Sequence, residues 1–578
     1  MKRSVVFFLA AVLMLGLLLT TLGCKKQAAP AASKGAGTPA AATSKKLSDG
    51  KTTFTMFVGD LGNLVSSYDY KDNKFTQKIV DETGINLQII ASSGADAVQR
   101  LNVLLSTGDY PDLIIRPLSG SSYALTMADL AFYAKEGIFI SLDQYDPMSY
   151  PNIKAAFDEY PALNDILRGP DGKLYALPTV NECVHCRYGN NNQLYYQPFM
   201  QKYTQATNKA IPATLDEFTT YLRWVRDNDV NGNGKKDEIP LAFDVNTLRN
   251  AVETFAKCYM PFVNANGYFG LARNGKQAIE QYKDPRFRDT LKYMAGIYKE
   301  KLIYPDSFTQ ATQAMQSLVS VDPAVVAVAL TSAVNRQGTD YYYHARWLPV
   351  LKGPTGEQHS YDVGPWSVLS AGMNITDKCK DPKLAMALYN YLLTFDVQLT
   401  GYLGPKGYGW DDADPGALSL GGGPAKYKTL KTYGTADINY TWSQINPMVR
   451  NYNFRYSEQA NDVPTVQKWL ETGDNSLLDA IKANKSYNEI KNIVQAKVRI
   501  PFATPVETLI PPLAMEAADT KRIGDINAVL NTTLDQAMVQ FVTGAKDIKS
   551  DAAWNTFLAD MDRVGSKEKA AIIEKYLK

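Results

Sequence analysis

The chain has 578 residues, 45% of them hydrophobic, with 61 basic against 59 acidic side chains. That length is too great for one hydrophobic core and points to two or more lobes, while the even charge balance gives no support for nucleic-acid binding. Three histidines stand against 35 tyrosines and 7 tryptophans, a supply of flat amphipathic rings that can stack on the C–H faces of sugars.

The first segment is basic and then apolar. Lys2 and Arg3 precede the run Val5 to Leu19, which leads into Thr20-Thr21-Leu22-Gly23-Cys24. A basic n-region, a short h-region and a small residue before the cut mark a secretory signal over 1–23. The run is at the short end for a membrane span, which needs roughly 20 residues; an uncleaved anchor is the competing reading. Gly23-Cys24 resembles the lipobox of bacterial lipoproteins, with Thr21 where Leu is usual. The resemblance implies cleavage before Cys24 and acylation of that residue, hence a lipid anchor and an extracytoplasmic location. With Lys2 and Arg3 removed, 59 basic residues face 59 acidic ones. Residues 24–50 are rich in Ala, Lys, Gly, Ser, Thr and Pro. They cannot bury enough apolar surface to offset chain entropy and read as a flexible tether.

Lys51 to Val58 alternates apolar and polar residues and predicts a strand. Phe75 to Thr83 predicts a helix ended by Gly84, and Ile85 to Ala91 a second strand. Asp96 to Thr107 carries Val98, Leu101, Leu104 and Leu105 on one helical face, with Gly108 as C-cap. Asp112 to Arg116 predicts a third strand. Strand, helix, strand, helix, strand at this spacing gives βαβ units and a largely parallel sheet.

Cys183-Val-His-Cys186 leaves three readings open. One is a disulfide, either local or to Cys258; the second is unpaired buried cysteines, with Cys379 the remaining thiol. Structural zinc is disfavoured because it takes four ligands and no second CxxC or HxxxH exists. Thioredoxin-type redox chemistry is disfavoured because the motif precedes a Gly/Asn-rich turn.

Five phrases, in order along the chain, resemble extracellular solute-binding proteins of bacterial ABC importers. They are Leu101 to Pro117 (LNVLLSTGDYPDLIIRP), Tyr133 to Asp143 (YAKEGIFISLD), Pro170 to Pro178 (PDGKLYALP), Pro212 to Phe218 (PATLDEF) and Gly364 to Asn374 (GPWSVLSAGMN). The resemblance, to the large carbohydrate-binding lipoprotein subgroup, implies an α/β, two-lobe periplasmic-binding-protein type II fold with hinge strands and a ligand cleft between the lobes. The expected first lobe is 51–178 plus 350–400. The expected second lobe is 179–349 plus 401–578, with a helical tail and a Tyr/Gly-rich insert. The implied function is capture of oligosaccharides for a membrane permease, by a monomer.

Asp227 to Glu238 (DNDVNGNGKKDE) places oxygen-bearing side chains at every second position with glycines between, a short loop able to wrap a hard cation such as Ca²⁺. It fits the EF-hand spacing if it starts at Asp227, and the family's calcium loop if it starts at Asp229. In the second register Asp229, Asn231, Asn233, Asp237 and Glu238 give side-chain oxygens and Lys235 its carbonyl. The flanks favour that register. Thr214-Leu-Asp-Glu217 is a capping box, so helix precedes the loop, whereas Ile239-Pro-Leu-Ala-Phe243 reads as strand rather than a second EF helix. A metal-free Asn/Gly turn is the alternative. The expected ion is structural.

Catalytic signatures are missing from the sequence. There is no G-x-S-x-G elbow and no HExxH or P-loop; Gly421-Gly-Gly423 lacks the following Lys-Ser/Thr. A polysaccharide lyase or glycoside hydrolase with paired carboxylates is the rival reading, and a peptide-binding importer subunit the other. Ligand residues are expected on loops at strand C-termini: Asp60, Arg116, Tyr123, Asn181, Glu182 and Trp366, with Tyr408, Trp410 and Trp442 from the aromatic insert.

Overall fold

The computed structural model describes residues 46–60, 72–93, 96–115, 127–189, 193–331, 339–431, 438–442 and 448–577. The expected lipidation site Cys24 and the ligand candidates Arg116 and Tyr123 lie outside the described residues.

The chain opens with β1 (Thr53–Asp60), α1 (Lys74–Thr83), β2 (Asn86–Ser93), α2 (Asp96–Thr107), β3 (Leu113–Ile115) and α3 (Met127–Lys135), the alternation expected from the residue pattern. After β4 (Leu177–Asn181) a short helix, α4 (Val184–Tyr188), leads to β5 (Gln193–Tyr196). Helix α5 (Leu215–Asp227), β6 (Ile239–Phe243), β7 (Val326–Leu330), β8 (Ala345–Trp347), β9 (Leu369–Ile375) and β10 (Val449–Arg450) complete the framework.

These strands form two sheets. The first has six strands in the order β10-β4-β9-β3-β1-β2, and the second four in the order β8-β5-β7-β6. In the first, β1 runs parallel to β2 and β3, β10 parallel to β4, and β9 antiparallel to both its neighbours.

Each sheet has its own core. Met56, Val58, Ile79, Leu113, Ile153, Leu177, Met373 and Met386 pack around the first. Phe218, Leu222, Phe243, Phe255, Phe287, Val326 and Phe541 pack around the second. Two separate cores of this size are what a chain of this length requires, because a single core stops growing beyond roughly 250–300 residues. The chain passes between them from Asn181 through α4 to Gln193, and again from Trp347 to Leu369. It leaves the first sheet a last time after Arg450. The tail helix Ala517–Thr543 packs Leu534, Met538 and Phe541 into the second core. Among the described residues no helix is long and apolar enough to cross a membrane.

Two sequence expectations change. Trp442, placed with the second lobe, is fully buried in the first core. Its ring meets Phe75 edge-on (centroids 5.4 Å, 83°), and its indole N–H donates to Thr76 Oγ1 at 2.8 Å. The Cys183–Cys186 motif, read from its Gly/Asn-rich sequel as not opening a helix, does open a helical turn, α4. The Cys183 carbonyl accepts from the amides of both Cys186 and Arg187 at 3.1 Å and so closes the turn. The two cysteines form a disulfide, with Cα atoms 5.1 Å apart, while Cys258 and Cys379 are buried free thiols.

Candidate functional site

Strands β1, β3 and β4 end on one edge of the first sheet, and antiparallel β9 begins there. The register fixes this edge: Val58 pairs with Ile115, Leu369 with Val180, and Arg450 with Asn181. In open α/β sheets ligands sit outside the carboxyl ends of the strands. This edge carries Asp60 at the end of β1 and Asn181 and Glu182 at the end of β4.

Glu182 is tied into the protein. Its N–H donates to the Arg450 carbonyl at 2.8 Å, its carboxylate accepts from Tyr160 Oη at 2.9 Å, and its carbonyl accepts from Arg455 at 2.8 Å. Burial, together with the neighbouring Glu182 charge, holds the Tyr160 phenol well above its ordinary range. Arg455 in turn pairs with Glu489 at 2.8 Å. Glu182 therefore braces the strand end, and half-buried Asn181 stands beside it.

The aromatic candidates separate by burial. Trp410 is 4% exposed and Trp442 fully buried, so packing covers both rings. Trp410 belongs to a cluster with Leu399, Leu403, Tyr427, Met448 and Phe454. Tyr408 is half-buried and stacks on Tyr440 with centroids 4.7 Å and planes 19° apart, while the Lys431 ammonium stands 3.3 Å above its ring centroid. A contact holds this stack at the start of α1. Asn73, the N-cap, accepts from the amides of Phe75 and Thr76, and its side-chain NH₂ donates to the Thr441 carbonyl at 2.9 Å. Helix α1 lies between the parallel strands β1 and β2 in the chain, so its N-terminus lies on the edge where β1 ends. Sequence reasoning missed Tyr440 and Lys431; the only local signal was the aromatic density of Asn439-Tyr-Thr-Trp442.

Trp366 occupies a different place. It is half-buried on the crossing between β8 and β9, packed against both the first core and a small cluster of Val263, Ala265, Ala272 and Leu509. Gly364 before it has φ +81°, and a Cβ there would stand 2.6 Å from the indole ring. The indole N–H lies 3.5 Å from Asp165. Trp366 lines a groove of about 860 Å³ together with Asp165, Arg168, Arg273, Pro511 and Tyr576, among others.

The Asp229–Glu238 loop joins α5 to β6. The capping box at the start of α5 is present: Thr214 Oγ1 accepts from Glu217 N at 3.2 Å and Glu217 returns the bond to Thr214 N at 3.0 Å. Gly232 and Gly234 have φ of +78° and +82°, conformations that L side chains resist, and they let the loop curl round the Asp229 carboxylate. That carboxylate accepts from the amides of Gly232 (2.8 Å), Asn233 (3.1 Å) and Gly234 (2.8 Å). Asn233 donates to Asp237 at 3.1 Å, and its own Oδ1 accepts from Lys235 N at 2.8 Å. Val230 anchors the loop in the second core.

Glu238 is 8% exposed; Oε1 accepts from the amides of Val230 and Asn231, whereas buried Oε2 has no hydrogen-bond partner. Among the described residues, no three His, Cys, Asp or Glu side chains converge as a metal-holding group. Even so, a buried carboxylate oxygen lacking a donor, beside a loop of hard oxygen donors, fits a hard cation in its chemistry. The loop stands at the amino end of β6, away from the strand ends where ligands bind.

Residues 73–409 match the family of bacterial extracellular solute-binding proteins, and the chain belongs to that family. It is accordingly a binding protein and not an enzyme. It is 22% identical over 516 residues to the fructooligosaccharide ABC transporter substrate-binding protein FusA of Streptococcus pneumoniae serotype 4, covering 89% of this chain and 88% of that one. An EF-hand mutant of S. pneumoniae FusA in complex with fructo-nystose superposes with TM-score 0.61 at 18% identity, covering 91% of this chain and 98% of FusA. The HMO-binding, ABC-transporter-associated solute-binding protein of Bifidobacterium longum infantis ATCC 15697 gives TM-score 0.65 at 17% identity, covering 91% and 98%. The alginate-binding protein AlgQ2 without calcium ion gives 0.55 at 15%, covering 92% and 99%. The fold is that of the two-lobe solute-binding proteins.

Proposed function

We propose that this protein is the substrate-binding subunit of an ABC importer, that it captures oligosaccharides in the cleft between its lobes, and that it delivers them to a membrane permease. The observation that carries the reading is the pair of separate α/β cores joined by crossing segments, with the ligand edge of the first sheet opening toward the junction. FusA, whose described ligands are fructooligosaccharides, and the HMO-binding protein share this architecture. A ligand that touches both lobes only when they are closed shifts the open–closed equilibrium, and a permease can read the closed form.

In this reading Asn181 and the Tyr408–Tyr440 stack face the sugar, on the edge where β1 ends at Asp60. Arg116 and Tyr123, which follow β3 in the sequence, are proposed to join them. Trp366 contributes from the crossing, and Glu182 acts by bracing the strand end. The protein works as a monomer, tethered through an acylated Cys24; Cys24→Ser should move it from the membrane to the soluble fraction, and retention at the membrane would remove the tether.

Calcium belongs to the same proposal. Asp229, Asn231, Asn233, Asp237 and Glu238, with the Lys235 carbonyl, would hold it, and its charge would neutralise the loop carboxylates and lock the corner between α5 and β6. Two relatives support this by description, the EF-hand mutant of FusA and AlgQ2 without calcium ion. Isothermal titration against kestose, longer fructooligosaccharides, alginate oligomers and glycan-derived oligosaccharides tests the ligand class. Saturable 1:1 binding of at least one sugar is expected; binding of peptides but no sugar would replace the reading.

A further inference from the structure

The Cys183–Cys186 disulfide stands where the chain leaves the first lobe. Cys183 is 1% exposed and belongs to the first core, whereas Cys186 is exposed on α4. The segment around this small ring ties the crossings to one another. Upstream, Glu182 N donates to the Arg450 carbonyl at 2.8 Å, and within the ring Val184 N donates to Tyr456 Oη at 2.9 Å. Downstream, Arg187 pairs with Asp362 of the second crossing through Nε (3.0 Å) and Nη2 (3.4 Å), and its carbonyl accepts from Val363 N at 3.3 Å. Asp362 is 3% exposed, so the acidic partner of this pair is shielded from solvent. The Gly189 carbonyl accepts from buried Arg499 at 2.7 Å.

A disulfide holds its sulfurs about 2.05 Å apart, whereas two non-bonded sulfurs need roughly 3.5 Å or more. Cys183 has no room to yield, because it sits in a close-packed core. The displacement falls on exposed Cys186, and without the covalent bond the turn that positions Arg187 is held only by the hydrogen bonds at Cys183, free to shift. A shift of about 1 Å there takes a hydrogen bond of this kind beyond its working range.

We propose that the Cys183–Cys186 disulfide is a reducible hinge pin. Oxidised, it holds the first and second crossings together through Arg187 and Asp362; reduced, it releases them and lets the lobes sample wider angles. The thiolate of a dithiol reductant attacks exposed Cys186 Sγ. A mixed disulfide forms, the Cys183–Cys186 bond breaks, and Cys183 leaves as a thiolate that takes up a proton. The second thiol of the reductant then displaces Cys186, so the dithiol is oxidised to a disulfide and both protein cysteines end as thiols. The device is independent of which ligand the cleft holds: it couples hinge freedom to the redox state of the surroundings.

The test uses the full chain with dithiothreitol as the probe, alkylation and intact mass to count thiols, and amide hydrogen exchange as the readout. Reduction should expose two further alkylatable cysteines. It should also speed exchange of residues 182–189 and of the Val363 amide about tenfold or more, with β1 and β7 unchanged. Asp362→Asn, which removes the ion pair and leaves the disulfide, should speed the same amides in the oxidised protein, and reduction should then add little more. No disulfide in the purified chain, unchanged exchange at 182–189 and Val363 after reduction, or equal acceleration throughout both cores would each overturn the proposal.

Discussion

Glu238→Gln separates calcium binding from simple loop packing. In the wild type Oε1 accepts from Val230 N and Asn231 N, and the buried Oε2 has no partner. The glutamine oxygen keeps both bonds and an NH₂ replaces the orphaned charged oxygen. No hydrogen bond is lost and a buried charge is removed, so the calcium-free variant should match or exceed the wild type, within about 1 kcal/mol. With calcium the balance reverses. At 100 times its Kd an ion that binds only the folded state adds about 2.7 kcal/mol. If loss of this carboxylate weakens binding about a hundredfold, the same calcium concentration adds only about 0.4 kcal/mol. Urea unfolding followed by tryptophan fluorescence, in calcium and in chelator, reads both states. The reasoning fails if the variant keeps the whole calcium increment, or if it is destabilised by several kcal/mol in chelator.

Trp442→Ala removes a fully buried indole and its bond to Thr76. It should cost about 3–5 kcal/mol in urea unfolding, and a cost under about 1 kcal/mol would contradict the buried placement. Tyr408→Ala removes the ring that holds Tyr440 and Lys431 and should weaken oligosaccharide binding about tenfold in calorimetry, on the scale of an aromatic pair worth about 1–1.5 kcal/mol; unchanged affinity would remove the stack from the site. Burial, reinforced by neighbouring Arg346, pulls the Lys491 ammonium down to about 7. An unfolded lysine titrates near about 10.4, so between the two values the unfolded chain holds a proton that the folded one has shed, and this residue's contribution to stability rises with pH from about 7 to about 10. Lys491→Met should flatten that rise in a Tm series, and an identical slope in the variant would contradict it.

The parts of the fold read most directly from sequence were those that local chemistry decides. Helix α2 spans Asp96–Thr107 as its apolar spacing and Gly108 predict, and α5 begins at the Thr214–Glu217 capping box. The loop from Asp229 to Glu238 leads into a strand, Ile239–Phe243, as that short apolar run predicts. The family phrases implied the two-lobe fold. What stayed hidden depends on partners far away in the chain. Trp442 meets Phe75 and Thr76 across more than 360 residues, and nothing in its own neighbourhood marks it as first-lobe core. Tyr408 and Tyr440 become one stack only because Asn73 fixes Thr441 at the start of α1. The Arg187–Asp362 pair, 175 residues apart, is equally invisible to local pattern.

Small-angle scattering of the calcium-loaded protein, titrated with the oligosaccharide that binds best in calorimetry, tests the central claim most directly. Closure of the two lobes predicts a smaller radius of gyration at saturation, with the sugar recovered intact. An unchanged radius at saturation, or cleavage of the sugar by pure protein, would contradict it.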